Sequence, residues 1–591
     1  MHDERGTIPH GTASPATGRH VTTAPGVTSQ DTADGTTPRA TGSRAAAAHT
    51  PAASRTASAR RTPAARGGRT LRATAVPALG GLLLAVLPAL PAQAAGAPES
   101  ASGSPANAGF EADGETAAPS GWTSTARGNA AGTAFTEPGG HDGGRRLTHR
   151  ADHAYRVETS QRLTGLDDGP YTVSAWVRSS GGQKSATIAL RDCGAGSERT
   201  QLPPTADGAW IRITASAEVR GGSCTIALTS DARPGQWAHF DDITLTPGAA
   251  ALSVRGGDVS TLAKNEVFGA RYRHADGTED DALSVLGSAG MNYARLKVWV
   301  DPVDGYNTKE RVLAMAQRIR ASGMQLFVDF HYSDAWADPG KQNKPAAWSG
   351  HSYQQLRQDV YDHTYDVLSA LAAQGTPAGM VQIGNEINGG MLWPEGSIDN
   401  WDQLAGLLKS GAEAARAASP DTRIALHLAE GGDREGTRWW FDRAVAHDVP
   451  FDVVALSYYG YWHGPLSGLQ ANLDATASRY GKPVLVAETA YAHTLENGDD
   501  LANNVGTADQ LVDGYPATPQ GQAANLRDVM NVVEAVPGGR GLGVVYWEPA
   551  WTAVEGSGWD PADPESGNAW ENQALFGYDE RALPALDLFA P

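Results

Sequence analysis

Only two cysteines occur in the 591 residues, Cys193 and Cys224, so no more than one internal disulfide can form. Large apolar side chains are nearly absent from residues 1–72, which are mostly Ala, Thr, Ser, Gly and Arg. Such a stretch cannot bury enough surface to offset chain entropy, which excludes a folded domain there. A long unbroken apolar run is missing too. The best candidate, Ala73 to Leu90, is interrupted by Pro77 and Pro88 and is short for a membrane span. Positive charge is scarce: 47 Lys and Arg stand against 66 Asp and Glu. The first 94 residues hold ten of those Arg, no Lys and only four acidic residues, leaving 37 basic against 62 acidic side chains in the rest. That balance disfavours nucleic acid and anionic membranes, and suits a neutral substrate.

What the N-terminal region does contain is an export pattern. Arg66, Arg69 and Arg72 precede the apolar run, and Ala92-Gln93-Ala94 supplies a small-residue cleavage site. A secretory signal cut after Ala94 is expected, with a secreted, extracellular protein as the result. The Arg60-Arg61 pair is weak evidence for a twin-arginine route.

About 500 residues remain, too many for one core. Composition divides them near Pro247 to Ala251, giving an expected module over 95–247, a linker over 248–251 and a second domain over 252–591. The first part carries short alternating runs, among them Tyr171 to Arg178, Ala186 to Arg191, Trp210 to Val219, Cys224 to Thr229 and His239 to Thr246. Turns rich in Gly, Pro and Asp separate them, which indicates an antiparallel β-sandwich. Both cysteines lie in this part of an exported chain, so a Cys193–Cys224 disulfide is expected.

The segments NAGFEADG (Asn107 to Gly114), PSGW (Pro119 to Trp122) and HFDDITLTP (His239 to Pro247) resemble the galactose-binding-like jelly-roll modules attached to secreted polysaccharidases. The resemblance implies carbohydrate binding and a structural calcium, with Glu111, Asp241 and Asp242 as candidate ligands. Sugar binding needs exposed flat rings, because an aromatic face packs on the C–H face of a pyranose. Trp122, Trp176, Trp210 and Trp237 are the available rings, and Trp176, inside an alternating strand, is expected in the core.

Past residue 252 the pattern changes. Eight apolar runs occur at Leu252 to Asp258, Tyr293 to Val300, Gln325 to Tyr332, Met380 to Glu386, Arg423 to Glu430, Val453 to Tyr459, Pro483 to Glu488 and Gly543 to Trp547. Most are continuous rather than alternating, as in strands buried on both faces. Helical stretches lie between them, including Thr308 to Arg320, Tyr353 to Ala373, Trp401 to Ala418, Leu469 to Tyr480 and Gln520 to Val533. The fold class is therefore multidomain: a (β/α)8 TIM barrel preceded by an antiparallel β-sandwich.

Two glutamates acquire meaning from that count. Glu386, preceded by Asn385, closes the fourth run, and Glu488 closes the seventh. Strand ends at the mouth of a parallel barrel hold side chains rigidly while loops shape a cleft. Two carboxylates so placed suit retaining glycoside hydrolysis, which needs one protonated acid and one ionised nucleophile about 5–5.5 Å apart.

The motifs RLKVWVDP (Arg295 to Pro302), DFHYSDAWADPGKQNKPAAW (Asp329 to Trp348), GNEINGGMLWPEG (Gly384 to Gly396), LSYYGYWHG (Leu456 to Gly464), ETAY (Glu488 to Tyr491), YWEPAW (Tyr546 to Trp551) and WENQALF (Trp570 to Phe576) resemble, in order, glycoside hydrolase family 53. Members are endo-β-1,4-galactanases of clan A, and the resemblance covers residues 252 to 591. It implies that Glu386 is the general acid and base and Glu488 the nucleophile. Arg295 could hold Glu488 ionised, and Asn385 is placed for the sugar 2-hydroxyl. Trp547 would floor the sugar at the cleaved bond, with Trp336, Trp393, Trp462 and Trp551 as further platforms and Asp329, His331 and His463 as hydroxyl contacts.

Bacterial members of the resembled family carry calcium in the loop after the seventh strand, on an Asp-x-Asp-x-His-x-Asn spacing. Here Asn497, Asp499, Leu501 and Asn503 stand at those positions, and Asp500 would have to compensate for the leucine. No organic cofactor is expected. The expected partner is a β-1,4-galactan polysaccharide, with no nucleic acid and no membrane, and the protein is expected to act as a monomer. Two readings stay beside this one: another clan A enzyme, such as a β-mannanase or cellulase, and a non-catalytic polysaccharide-binding protein.

Overall fold

The computed structural model describes residues 103–115, 118–127, 132–205 and 208–590. The expected signal segment, 1–94, lies outside the described residues, and among those no helix is long and apolar enough to cross a membrane.

The first part is a pair of antiparallel sheets. One has five strands in the spatial order Thr123–Arg127, Tyr155–Thr164, Ser223–Ala232, Ser185–Arg191 and Glu198–Gln201. The other has six, with Trp237–Pro247 and Gly169–Ser179 at its centre. Alternation along Gly169–Ser179 sends Val173, Ala175 and Val177 into the core. Trp176 consequently lies on the outer face, half-buried, with the His141 ring stacked on it at 3.8 Å. The expectation of a core tryptophan is corrected by one step of the period-two rule. Trp122 is the tryptophan that enters the core, against Phe110. Cys193 and Cys224 are joined in a disulfide.

The second part is a closed barrel of eight parallel strands. They are β1 (Val254–Asp258), β2 (Tyr293–Val298), β3 (Gln325–Phe330), β4 (Ala378–Ile383), β5 (Arg423–Leu428), β6 (Val453–Ser457), β7 (Val484–Thr489) and β8 (Gly541–Tyr546). β8 pairs back onto β1, which removes every free edge. Each strand feeds two apolar layers, and this is why the sequence shows unbroken runs. Ala294, Leu296 and Val298 of β2 face the helices, while Tyr293 joins Phe327, Met380, Ala425, Val453, Leu485 and Val545 inside the barrel. Towards the C-terminal ends of the strands the inward positions turn polar: Asp258, Arg295, Lys297, Asp329, Gln382, His427 and Ser457 are all buried. The functional site sits on this polar layer.

Helices Tyr353–Ala373 and Trp401–Ala418 run where their apolar periodicity places them. The helix Arg434–Ala446 was not singled out by pattern; it buries Trp440, Phe441 and Ala444 while leaving Trp439 exposed. The sandwich meets the barrel through Arg212. Its guanidinium pairs with Asp474 at 2.8 Å and donates to the carbonyl of Ala535, and its backbone N–H donates to Gln470.

Candidate active site

Different backbone devices aim the two glutamates. β4 ends at Ile383, and Gly384 then adopts φ +83°, where a Cβ would meet the Ile387 side chain at 2.6 Å. The turn this permits carries Glu386 into the left-handed region at φ 46°, ψ 52°. A non-glycine residue held there is strained, and such strain concentrates at functional positions. Glu488 lies within β7, where Leu485 and Ala487 already occupy interior positions. Strict alternation would turn the next residue towards the helices. Instead the pairing slips on both sides, between Leu456 and Ser457 against β6 and between Val486 and Thr489 against β8. The irregularity swings Glu488 back into the barrel.

There it meets a buried arginine. Arg295 Nη1 donates to Glu488 Oε1 at 2.8 Å and to Asp258 Oδ2 at 2.9 Å. Nη2 donates to Asn385 Oδ1 at 2.9 Å and lies 2.9 Å from Asp329 Oδ2. Burial opposes the charge on this guanidinium, yet the carboxylates of Asp329, Glu488 and Asp258 raise its pKa overall. The second oxygen of Glu488 accepts from the Tyr459 hydroxyl at 3.0 Å. Burial raises the Glu488 pKa overall, opposed by Arg295 and the Tyr459 hydroxyl and reinforced by the charges of Asp258 and Asp329.

Glu386 is in a different position. It is half-buried and pairs with no cation among the described residues, and its pKa is pushed up to about 8, first by burial and then by the charge of Glu488. Its opposing donor is the Ser457 hydroxyl, at 2.6 Å from Oε1. Ser457 Oγ is in turn 2.9 Å from His427 Nε2, and His427 Nδ1 is 3.1 Å from the Gln382 amide nitrogen. Burial drives the His427 pKa well down, so the ring is neutral. With the Ser457 proton given to Glu386, Nε2 carries the His427 hydrogen and Nδ1 accepts from Gln382, a tautomer assigned from the network. Both carboxyls are raised, but only Glu488 is hydrogen-bonded to the Arg295 guanidinium that opposes the rise, and this inequality runs in the direction an acid and nucleophile pair requires.

A cleft of about 560 Å³ opens over both groups. Trp336, Trp462, Trp547 and Trp551 line it, as do Arg295, Asp329, His331, Asn385 and His463. Trp393 is not among the lining residues; its indole N–H donates to the Gly389 carbonyl. Several lining groups are committed within the protein. Asp329 is fully buried between Arg295, His331 and Gln382. Both ring nitrogens of His331 are engaged: Nε2 is 3.0 Å from Asp329, and Nδ1 accepts from Trp299 and from the Ala337 N–H. The Asn385 amide donates to the Ala337 carbonyl. Trp462 is the most exposed ring, at 53%, which leaves its surface open to a ligand.

Pattern reading passed over Ser457, His427, Tyr459, Lys297, Trp559 and Trp570. The first four lie on or just past strands as isolated polar or aromatic residues, and a signal was available only as inward positions of β2, β5 and β6. Trp559 and Trp570 belong to the long segment after β8 and line the cleft with Asp338 and Lys341.

Apart from Leu501, both groups implied to hold calcium consist of oxygen donors. In the loop after β7, Asp499 accepts from the N–H groups of Leu501 and Asn568, and Asn497 donates to the Asp499 carbonyl. Asn503 Oδ1 and Glu571 Oε2 are buried oxygens with no hydrogen-bond partner among the described residues. Burial, then the Asp499 charge, raises the Glu571 pKa. Asp499, Asn503 and Glu571 are the oxygen donors available to a hard cation here, Glu571 standing in for Leu501, and among the described residues no group of three His, Cys, Asp or Glu is placed to hold a metal. In the sandwich the buried Asp241 carboxyl is pushed up to about 7 by burial, with Asp242 and Glu111 adding like charge, but Asp241 accepts from the N–H groups of His141 and Asp242 and Glu111 from those of Gly144 and Arg145, so these carboxylates are already engaged within the protein.

Comparison with known proteins matches the barrel. The model of "Glycosyl hydrolase family 53" aligns with residues 254–589. An endo-β-1,4-galactanase of Bacillus subtilis is 36% identical over 370 residues, covering 57% of this chain and 85% of the relative. An arabinogalactan endo-β-1,4-galactanase of Thermothelomyces thermophilus is 33% identical over 352 residues, 57% of this chain and 99% of its own length. Among solved structures, the catalytic domain from Ignisphaera aggregans is 41% identical, with a TM-score of 0.55 over 57% of this chain and 95% of that one.

Proposed function

The chain belongs to glycosyl hydrolase family 53, and on that footing we propose that it is an endo-acting hydrolase of β-1,4-D-galactosidic bonds in type I arabinogalactan and pectic galactan. The observation that supports this most is the unequal environment of the two glutamates in one tryptophan-lined cleft.

In this mechanism Glu386 delivers its proton to the glycosidic oxygen as the bond to the anomeric carbon breaks. Glu488, oriented by Arg295 and Tyr459, attacks that carbon from the opposite face and forms a covalent glycosyl-enzyme. Glu386, now ionised, takes a proton from water. The resulting attack on the same carbon releases Glu488 and restores the starting configuration. Asn385 serves the sugar 2-hydroxyl, Trp547 floors the reacting sugar, and Trp336, Trp462 and Trp551 support its neighbours. His463 contacts a hydroxyl, while Asp329 and His331 act by holding Arg295. Asp499, Asn503 and Glu571 would hold a calcium ion, whose charge would offset theirs without entering a chemical step.

We place the protein outside the cell on the strength of the Arg-rich, apolar and Ala92-Gln93-Ala94 pattern, and N-terminal sequencing of exported protein should begin at Ala95. The sandwich raises the local concentration of enzyme on polymer. The decisive experiment incubates the wild type and Glu488→Gln with β-1,4-galactan, β-mannan and cellulose, following products and anomeric configuration by NMR. Retained β-galacto-oligosaccharides from the wild type alone are expected. Cleavage of mannan or cellulose in preference, inversion, or no released reducing ends would overturn the reading.

A further inference from the structure

A second buried ion pair lies beside the catalytic one, and the mechanism above makes no use of it. Arg295 and Lys297 are two positions apart on β2, so both enter the barrel, and they serve different groups. Lys297 Nζ donates to Glu548 Oε1 at 3.0 Å, and both side chains are buried. The same ammonium lies 4.0 Å from the centroid of the Trp336 ring. Glu548 directly follows Trp547 and takes φ 49°, a left-handed conformation for a non-glycine residue. Its other oxygen accepts from the Thr261 hydroxyl.

The consequence is a link between two cleft tryptophans. Trp547 is covalently adjacent to Glu548, Glu548 grips Lys297, and Lys297 presses on the face of Trp336. The two rings stand 6.1 Å apart, tilted by 49°. Trp336 is held on its rim as well: its N–H donates to the Trp559 carbonyl at 2.7 Å, and Trp551 stacks 5.9 Å away at 16°. An apolar side chain at position 297 could fill the space, but would neither attract the ring face nor compensate the Glu548 carboxylate.

We propose that Lys297 and Glu548 are positioning residues that fix the angle between Trp336 and Trp547, and so set the register in which a galactan chain lies across Glu386 and Glu488. The proposal rests on the galactanase reading and deepens it. Neither residue touches the reacting atoms. Their effect is to present one preformed surface to successive sugar rings, sparing the substrate the cost of ordering it.

The test compares wild type, Lys297→Met, Lys297→Arg, Glu548→Gln and the double variant Lys297→Met/Glu548→Gln in kcat and KM. The substrates are β-1,4-galactan and a short aryl β-galactobioside, and melting temperatures are measured alongside. Lys297→Met should raise KM on polymer about tenfold, the size a cation held on an aromatic face can supply. The change in kcat should be much smaller, and so should the change in KM on the short substrate. Lys297→Arg should recover most of the affinity, and the double variant should melt higher than either neutral single variant while keeping the high KM. A merely structural pair would give equal losses on both substrates, tracking the melting temperature, and the double variant would regain wild-type KM. That pattern, or an unchanged KM in Lys297→Met, would overturn the proposal. A wild type inactive on galactan would instead refute the galactanase reading.

Discussion

Replacing Ser457 by alanine removes the hydroxyl that, among the described residues, donates to Glu386 and, with the charge of Arg295, opposes its high pKa. The hydroxyl bonds to Oε1 whether Glu386 is charged or neutral, but more strongly when charged. A hydrogen bond to a charged group contributes about 1.5–3 kcal/mol, and one between neutral groups about 0.5–1.5 kcal/mol. The difference, roughly 1–1.5 kcal/mol, corresponds to about one pH unit. Loss of the donor disfavours the ionised form, so the pKa should rise. The wild-type kcat/KM profile on galactan should fall on its alkaline side near pH 8, as the acid loses its proton. In Ser457→Ala that limb should move up by about one unit, and Ser457→Thr, which keeps a hydroxyl, should leave it nearly in place. An alkaline limb that stays put or moves down in Ser457→Ala would refute the reasoning, because the bond would then not be stabilising the charged acid.

Three further outcomes follow from other parts of the molecule. Glu386 has a folded pKa raised to about 8, so its contribution to stability is intact below the unfolded value near 4.5 and is lost as pH rises through about 8; Glu386→Gln should gain stability over wild type between pH 6 and pH 9, by about 1–3 kcal/mol after solvent screening, read from denaturant unfolding at the two pH values, and an equal difference at both would count against it. Calcium should raise the melting temperature of chelator-treated protein, and Glu571→Gln should remove the part of that rise owed to the loop after β7; calorimetry showing the same rise in the variant would assign the ion elsewhere. Arg212→Ala breaks the Asp474 pair and leaves that carboxylate, whose pKa burial already raises, without its cation; differential scanning calorimetry should show the sandwich melting separately from the barrel, and one unchanged transition would show that Arg212 does not couple them.

The barrel was legible because its strands are buried on both faces and read as eight apolar runs, most of them unbroken. Tyr353–Ala373 and Trp401–Ala418 were legible because each carries a regular apolar stripe. The helix Arg434–Ala446 was not, since its buried aromatics Trp440 and Phe441 sit next to exposed Trp439 and blur the period. Trp176 shows a related difficulty. Alternation fixes which residues share a face, but not which face is the core. At the cleft, Glu386 and Glu488 were visible because each closes an apolar run. Ser457 and His427 were not, because their role lies in partners distant along the chain: Ser457 reaches Glu386 across 71 residues, and His427 reaches Gln382 across 45. A single polar residue inside a strand carries no local sign of such a partner. Lys297 and Glu548 are 251 residues apart and had no sign either.

The slipped pairing around Glu488 bears on how such a site could be transplanted. The direction of that carboxylate belongs to the backbone of β7 and its two neighbours, not to the identity of residue 488. Grafting a glutamate onto the matching position of an idealised, evenly paired barrel would point it into the helical shell, away from the arginine. The same holds in reverse: a one-residue deletion before Glu488 could leave every catalytic side chain in the sequence and still yield an inert protein. Comparisons between distant barrels are therefore better anchored on where strand pairing breaks than on which acids are retained.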